Sequence, residues 1–126
     1  MSTIIWITGA GSGIGKALAL AYNKDNNTII LSGRKESQLN EVAATIKSSY
    51  VLPLDVTDEV AIQNAVVQVD SKFGKVDILI NNAGVSQRAL VSETNNEVGR
   101  KLMEVNFFGS IHLTKAVLPL MQKSNT

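Results

Sequence analysis

Short apolar runs alternate along the chain with segments in which apolar residues recur every three or four positions. The runs lie at residues 3–8, 28–32, 50–54 and 76–81, and the first is continuous and rich in β-branched residues. Runs of this kind are typical of strands that are buried on both faces of a sheet. We therefore predict four strands, the first two of them buried, each followed by a helix.

The segments that follow the runs have the apolar spacing of amphipathic helices. The predicted buried faces are Ile14, Leu18 and Ala21 on the first helix, Leu39, Val42, Ala43 and Ile46 on the second, Ile62, Val66, Val69 and Phe73 on the third, and Leu102, Val105, Gly109, Leu113 and Ala116 on the last. Thr57 is predicted to cap the third helix, whose first turn contains Asp58 and Glu59.

The order of strand and helix predicts an α/β fold of the Rossmann type, a doubly wound parallel sheet with helices on both faces. Residues 1–126 are expected to form a single domain. In such sheets ligands bind outside the carboxyl ends of the strands. Unusual clusters follow all four predicted strands, namely the glycines, Gly33-Arg34, Asp55 and Asn81-Asn82. These clusters therefore predict one ligand site at this edge of the sheet.

Composition narrows the function classes. With 126 residues, 44% of them apolar and 18% charged, the chain is an ordinary globular protein. Its net charge is +1 without a basic block, so no nucleic-acid partner is expected. It has no cysteine, and no cluster of His, Asp and Glu has metal-ligand spacing. The sequence shows neither a signal peptide nor a membrane-spanning run, so we expect a cytoplasmic protein without a membrane partner.

The stretch TGAGSGIGK after the first strand fits three nucleotide-binding patterns incompletely. It departs from the P-loop at Ala10 and Ala17, where that pattern has a glycine and a hydroxyl residue. It also lacks the last glycine of the strict dinucleotide pattern G-x-G-x-x-G. The G-x-G-x-G that begins at Gly11 matches methyltransferases that bind S-adenosylmethionine, although Gly33-Arg34 stands where these usually carry an acid. All three patterns let backbone N–H groups face an anion.

Four motifs together resemble the short-chain dehydrogenase/reductase family, in the right order and spacing. They are Thr8-Gly9-x-x-x-Gly13-x-Gly15, Asp55-Val56, Asn81-Asn82-Ala83-Gly84 and Val105-Asn106. The resemblance extends from residue 3 to about residue 121, and residues 84–88 resemble in particular the branch of dehydrogenase/reductase member 7-like enzymes. It implies an oxidoreductase that transfers a hydride between a nicotinamide dinucleotide and a carbonyl or alcohol substrate.

The resemblance also implies a role for each motif residue. The pyrophosphate and the adjoining ribose would be bound by Gly9, Ser12, Gly13, Ile14 and Gly15. Asp55 would accept a hydrogen bond from the adenine amino group, with the Val56 backbone beside it, and the adenosine side of the cleft would be lined by Asn82, Ala83 and Gly84. Asn106 would be the catalytic asparagine that holds a water, and Asn81 would brace the sheet. Simpler roles stay open: Asp55 as a helix cap, the asparagine pair as a turn, and Asn106 as a solvated position.

The residues after the second strand favour NADP(H) over NAD(H). Gly33 occupies the place where NAD-preferring members of the resembled family usually carry Asp, whose carboxylate would repel a 2′-phosphate. Arg34 follows, and its guanidinium offers paired donors to a phosphate. Another family feature of NADP preference, a basic residue before the second motif glycine, is replaced here by Ser12. Arg34 as an ordinary surface residue is the alternative.

The catalytic Ser, Tyr and Lys of the resembled family have no counterpart in the sequence. Tyr22 and Tyr50 are followed four positions later by Asn26 and Leu54, so no Tyr-x-x-x-Lys is present. The resemblance therefore implies about half of a family member, truncated after the fourth strand–helix unit, and this chain alone is expected to be inactive. The fourth strand would form an open sheet edge, so we expect a homo-oligomer. A non-catalytic dinucleotide-binding module or scaffold and a methyltransferase-like domain stay as alternatives.

Overall fold

A parallel sheet forms the centre of the molecule. The computed structural model describes residues 2–82, 97, 100 and 108–124, and within them the strands are arranged in the order β3-β2-β1-β4. The strands are β1 (Thr3–Ile7), β2 (Asn27–Leu31), β3 (Ser49–Val51) and β4 (Ile78–Ile80). Ile5 of β1 pairs with Ile29 on one side and with Ile78 on the other. The strand order therefore reverses at β1, as in other doubly wound sheets.

Helices cover both faces of the sheet, which confirms the predicted architecture. The described helices are α1 (Gly13–Ala21), α2 (Glu36–Ala43), α3 (Glu59–Phe73) and α4 (Ser110–Gln122). One cluster of buried apolar side chains joins Ile5 and Ile7 to α1 and α2. The other joins Ile4 and Trp6 to α3 and α4. Because successive residues of a strand point to opposite faces, β1 contributes to both clusters.

The predicted bounds of β3 and β4 were too wide. Past the end of β3, Leu52 and Leu54 still donate their N–H groups to Leu31 and Gly33, both at 2.9 Å. These bonds keep the segment after β3 extended. β2 ends at Leu31, however, and the residues after it turn toward α2, so the regular strand pairing stops. At the start of β4, Val76 N–H donates to Leu120 O of α4 at 3.2 Å.

The prediction of a strand buried on both faces is confirmed for β1, whereas β4 is less buried. Four of the five residues of β1 are buried, whereas all three residues of β4 are half-buried. The difference follows from position, since β1 is central and β4 is at the edge of the described sheet.

The predicted buried face of α1 is confirmed only at Leu18, which is half-buried and packs against the cluster that contains Ile5 and Ile7. Gly15 and Ala19 are buried, whereas Ile14 is 71% exposed and Ala21 is exposed. A residue without a side chain, followed one turn later by an alanine, lets the helix lie close to the sheet. Residue size, rather than hydrophobicity, therefore determines the packed face of this helix.

Two helix ends differ from the prediction. α2 ends at Ala43, and Ile46 is buried in the turn that follows, where its N–H donates to Ala43 O at 3.2 Å. α3 is capped by Asp58, whose carboxylate accepts Ala61 N–H at 3.1 Å. Thr57 does not cap α3, because its N–H and hydroxyl both donate to the carboxylate of Asp55.

The packed faces of α3 and α4 follow the predicted spacing with small changes. On α3, Ile62 and Val69 are buried as predicted, while Val66 and Phe73 pack half-buried against the cluster. On α4, Leu113 is buried, Ala116 is half-buried, and Val117 and Leu120 complete the face. Leu102 and Val105 lie outside the described residues. None of the helices α1 to α4 is long and apolar enough to cross a lipid bilayer.

Candidate functional site

A cleft of about 570 Å³ lies beyond the carboxyl ends of β1, β2 and β3. Its walls come from the segments that follow these strands, and they include five of the predicted cofactor-binding residues. The lining residues are Gly9, Gly11, Ser12, Gly33, Arg34, Lys35, Gln38, Leu39, Leu54, Asp55 and Val56. Three clusters that are far apart in the sequence therefore meet at one site, as expected for parallel strands whose carboxyl ends share an edge.

The glycine loop between β1 and α1 depends on its glycines for two different reasons. Gly9 has φ +61 and Gly13 has φ +57, a left-handed conformation that side chains disfavour. Gly15 instead permits a close approach, since a Cβ at this position would lie 1.9 Å from Gly9 O. At Gly13 the corresponding Cβ position has no atom within 4 Å. The start of α1 therefore has space for a ligand at Gly13, whereas at Gly15 it packs directly against the loop.

Asn81 and Asn82, which follow β4, form hydrogen bonds to the start of the glycine loop and to α4. Asn82 N–H donates to Thr8 Oγ1 at 2.9 Å, and Asn82 Nδ2 donates to Gly9 O at 3.3 Å. Asn81 Nδ2 donates to Thr114 Oγ1 of α4 at 3.0 Å. Both side chains therefore make long-range contacts and do more than form a turn. Asn82 braces the glycine loop, while Ala83, Gly84 and Asn106 lie outside the described residues.

The N-termini of α1 and α2 both open toward the cleft. Ser12 and Lys35 are the residues before these helices, they line the cleft, and neither side chain caps its helix. α3, by contrast, is capped by Asp58. The first-turn N–H groups of a helix have no acceptor within the helix and carry the positive end of its dipole. The two uncapped ends are therefore suited to bind anionic groups such as phosphates.

Asp55 is held in the opposite wall by the turn that precedes α3. Its Oδ1 accepts the N–H of Thr57 at 2.9 Å and the hydroxyl of Thr57 at 2.7 Å. Because Asp58 caps α3, the simpler interpretation of Asp55 as the helix cap is wrong. Asp55 is half-buried in the cleft, and Val56 beside it is buried.

Ser32, which sequence reasoning missed, anchors the segment that leads to Arg34. It is fully buried, and its Oγ accepts the indole N–H of Trp6 at 2.8 Å. Its carbonyl accepts Ala10 N–H of the glycine loop at 3.0 Å, and its own N–H donates to Ile7 O at 2.9 Å. One residue thus connects β1, the end of β2 and the glycine loop. The available signal was the tryptophan in a predicted buried strand, because a buried indole N–H requires an acceptor.

Ser32→Ala is expected to lower the free energy of unfolding by about 1–3 kcal/mol, because the Trp6 N–H would stay buried without an acceptor. Urea denaturation followed by circular dichroism measures the change. Ser37→Ala on the exposed surface of α2 is the matched control and should change stability by less than about 0.5 kcal/mol. Equal stability of the two variants would contradict the assigned role of the Trp6–Ser32 bond.

Gln38 is a further residue of the cleft that sequence reasoning did not single out. Gln38 lies in the first turn of α2, where a polar residue is ordinary, so the sequence pattern gave no signal. In the ranges 2–82 and 108–124, no three His, Asp or Glu side chains lie close enough together to hold a metal ion. The groups that the site offers to a ligand are therefore backbone N–H groups, basic side chains and one carboxylate.

Comparisons with known proteins identify the family. The family model for short chain dehydrogenases matches residues 3–126. Dehydrogenase/reductase SDR family member 7 of Mus musculus is 43% identical over 126 residues, which cover 94% of this chain and 37% of that protein. A short-chain dehydrogenase from Streptomyces avermitilis has a TM-score of 0.90 and 35% identity, covering 98% of this chain and 46% of its own.

A short-chain dehydrogenase from Shigella flexneri, solved as a complex with NADP, has a TM-score of 0.89 and 32% identity, covering 98% of this chain and 55% of its own. The chain thus spans 37% of the length of the mouse relative and about half the length of these two solved structures. The match nevertheless includes almost every residue of the chain. The chain belongs to the short-chain dehydrogenase family.

Proposed function

We propose that this chain is the NADP(H)-binding portion of an oxidoreductase that transfers a hydride between the nicotinamide cofactor and a carbonyl or alcohol substrate. The observation that carries the proposal is the convergence of Arg34, Asp55 and the uncapped ends of α1 and α2 on one cleft. Membership of the family supports a nicotinamide dinucleotide as the ligand, and the relative from Shigella flexneri was solved with NADP.

The described residues fit such a dinucleotide. The open side of Gly13 lets phosphate oxygens approach the first-turn N–H groups of α1, which would hold the pyrophosphate together with Ser12. Asp55, in the wall formed after β3, would accept a hydrogen bond from the adenine amino group. The bound cofactor would supply the hydride donor or acceptor, and these residues would bind and orient it.

Two features at the end of β2 support NADP(H) over NAD(H). Arg34 is exposed and lines the cleft, where its guanidinium can donate to a 2′-phosphate. A Cβ at Gly33 would lie 3.3 Å from Leu39 Cδ2, so any side chain at this position would require Leu39 of α2 to shift by a few tenths of an ångström. The absence of a carboxylate at Gly33 removes the group that would repel the phosphate.

Arg34→Ala is expected to raise the dissociation constant for NADPH about ten- to a hundredfold, because a charged hydrogen bond contributes about 1.5–3 kcal/mol. The dissociation constant for NADH should change less than about twofold, since NADH has no 2′-phosphate for the arginine to bind. Calorimetric titration of the purified chain measures both. Lys24→Ala, which removes the same charge at an exposed position outside the cleft, is the control. Equal wild-type affinity for the two cofactors, unchanged in Arg34→Ala, would refute the preference.

Two finer parts of the prediction stay proposals. The sequence contains no Tyr-x-x-x-Lys, which supports the proposal that this chain alone binds the cofactor without turnover. The expected homo-oligomer is supported by the edge position of β4 and by exposed apolar side chains at α4. These are Phe108, Ile111 and Leu118, with exposed fractions of 42%, 37% and 48%.

A further inference from the structure

We propose that Gln38 determines cofactor specificity by donating its side-chain amide to the 2′-phosphate of NADP(H). This inference rests on the proposed function. Gln38 lies three residues after Lys35, in the first turn of α2, and lines the same cleft as Arg34 and Lys35. The two basic residues make this end of the cleft attractive to an anion, and Gln38 is the neutral donor beside them.

Gln38 lies against the glycine loop at Gly11. A Cβ built at Gly11 would lie 2.9 Å from Gln38 Cβ and 3.2 Å from Gln38 Oε1. The glutamine therefore occupies the volume that a side chain at position 11 would need. α2 therefore lies close to the glycine loop at this point, and Gln38 and Gly11 both line the cleft.

The side-chain amide of Gln38 lines the cleft and keeps unused hydrogen-bond donors there. Oε1 lies nearer than Nε2 to the Cβ position of Gly11. The side chain is half-buried, and within the described part of the chain its amide makes no hydrogen bond to another residue. A primary amide offers two N–H donors, which can bind a phosphate oxygen without adding charge.

The 2′-phosphate is the group by which NADP(H) differs from NAD(H). A donor to this phosphate strengthens the binding of one cofactor only, whereas a residue that merely supports the fold affects both cofactors alike. The ratio of the two dissociation constants therefore reports the role of Gln38 separately from its contribution to stability.

The experiment compares two variants of Gln38 that nearly keep its volume. Gln38→Leu removes the donors and is expected to raise the dissociation constant for NADPH about tenfold, with less than about a twofold change for NADH. Gln38→Glu places a carboxylate at the same position and should raise the NADPH constant about a hundredfold, because two anions repel each other across the cleft. Calorimetric titration of the full 126-residue chain with NADPH and with NADH gives the four constants.

Asn40→Asp is the matched control for Gln38→Glu. It makes the same change from amide to carboxylate on the same helix, at an exposed position that does not line the cleft. Because exposed charges at this separation are screened, the NADPH constant should change less than about threefold. A large effect of Asn40→Asp would show that net charge, rather than the position of Gln38, controls binding.

The outcomes separate this inference from the proposed function. A wild-type preference for NADPH that is unchanged in size in Gln38→Leu would overturn the role of Gln38 and leave the proposed function in place. Equal losses for NADPH and NADH in both Gln38 variants would show a structural role only and would also overturn it. Equal wild-type affinity for the two cofactors would overturn the specificity of the site and the role of Gln38 together.

Discussion

Gly15→Ala is expected to abolish NADPH binding and to lower the free energy of unfolding by about 3 kcal/mol, the upper part of the range for overpacking. The added methyl would lie 1.9 Å from Gly9 O and 2.6 Å from Asn82 Nδ2. Neither atom can yield easily, because Asn82 Nδ2 donates to this same carbonyl at 3.3 Å and Asn82 N–H is bound to Thr8. Either α1 moves away from the sheet or the loop loses its turn.

Urea denaturation and titration with NADPH measure the two effects of Gly15→Ala. Gly74→Ala is the matched control, because Gly74 has φ +74 and open space around its Cβ position. It should lose only about 1–2 kcal/mol from the left-handed backbone and keep the wild-type affinity for NADPH, since Gly74 ends α3 and does not line the cleft. Gly15→Ala with the stability and the NADPH affinity of Gly74→Ala would contradict the close packing of α1 on the loop.

Asp77→Ala is expected to lower the free energy of unfolding by about 3 kcal/mol, because it removes one partner of a buried ion pair. The carboxylate of Asp77 has no exposed surface, and its Oδ2 lies 3.0 Å from Lys75 Nζ. The same oxygen accepts Ile4 N–H at 2.7 Å, and the carboxylate also accepts the hydroxyl of Ser124. The variant leaves the Lys75 ammonium and the Ile4 N–H without this acceptor at the amino-terminal end of the sheet.

Asp70→Ala is the control for Asp77→Ala. Asp70 also pairs with a lysine, Lys123, at 3.0 Å, but about half of each side chain is exposed. Pairs of this kind contribute less than about 1 kcal/mol, so denaturation midpoints should separate the two variants clearly. If Asp70→Ala destabilised the chain as much as Asp77→Ala, burial would not be the source of the effect.

The general fold and much of the cleft could be predicted from the sequence. The apolar runs identified the strands, and the parallel arrangement then required the glycine loop, Arg34 and Asp55 to meet at one edge. This reasoning works because strand direction fixes which end of each strand faces the site. It needs no knowledge of individual side-chain contacts.

The parts that failed depend on such contacts. Hydrophobic spacing could not predict the packed face of α1. The helix approaches the glycine loop closely at Gly15, and this approach favours residues with little or no side chain over large apolar residues. Ser32 and Gln38 act through Trp6 and Gly11, partners that are distant in sequence and adjacent only in the folded chain. A local pattern contains no information about such pairs.

The central position of β1 imposes an order on the assembly of the sheet. Its two neighbours lie at different distances along the chain, because Ile78 is about three times as far from Ile5 as Ile29 is. The entropy of loop closure grows with the logarithm of loop length, so the pairing with β4 costs about 1 kcal/mol more than the pairing with β2. During synthesis, β1 leaves the ribosome before the other three strands, so it pairs on one side early and keeps its other edge open until β4 arrives. That interval is when the nascent chain is most prone to aggregate.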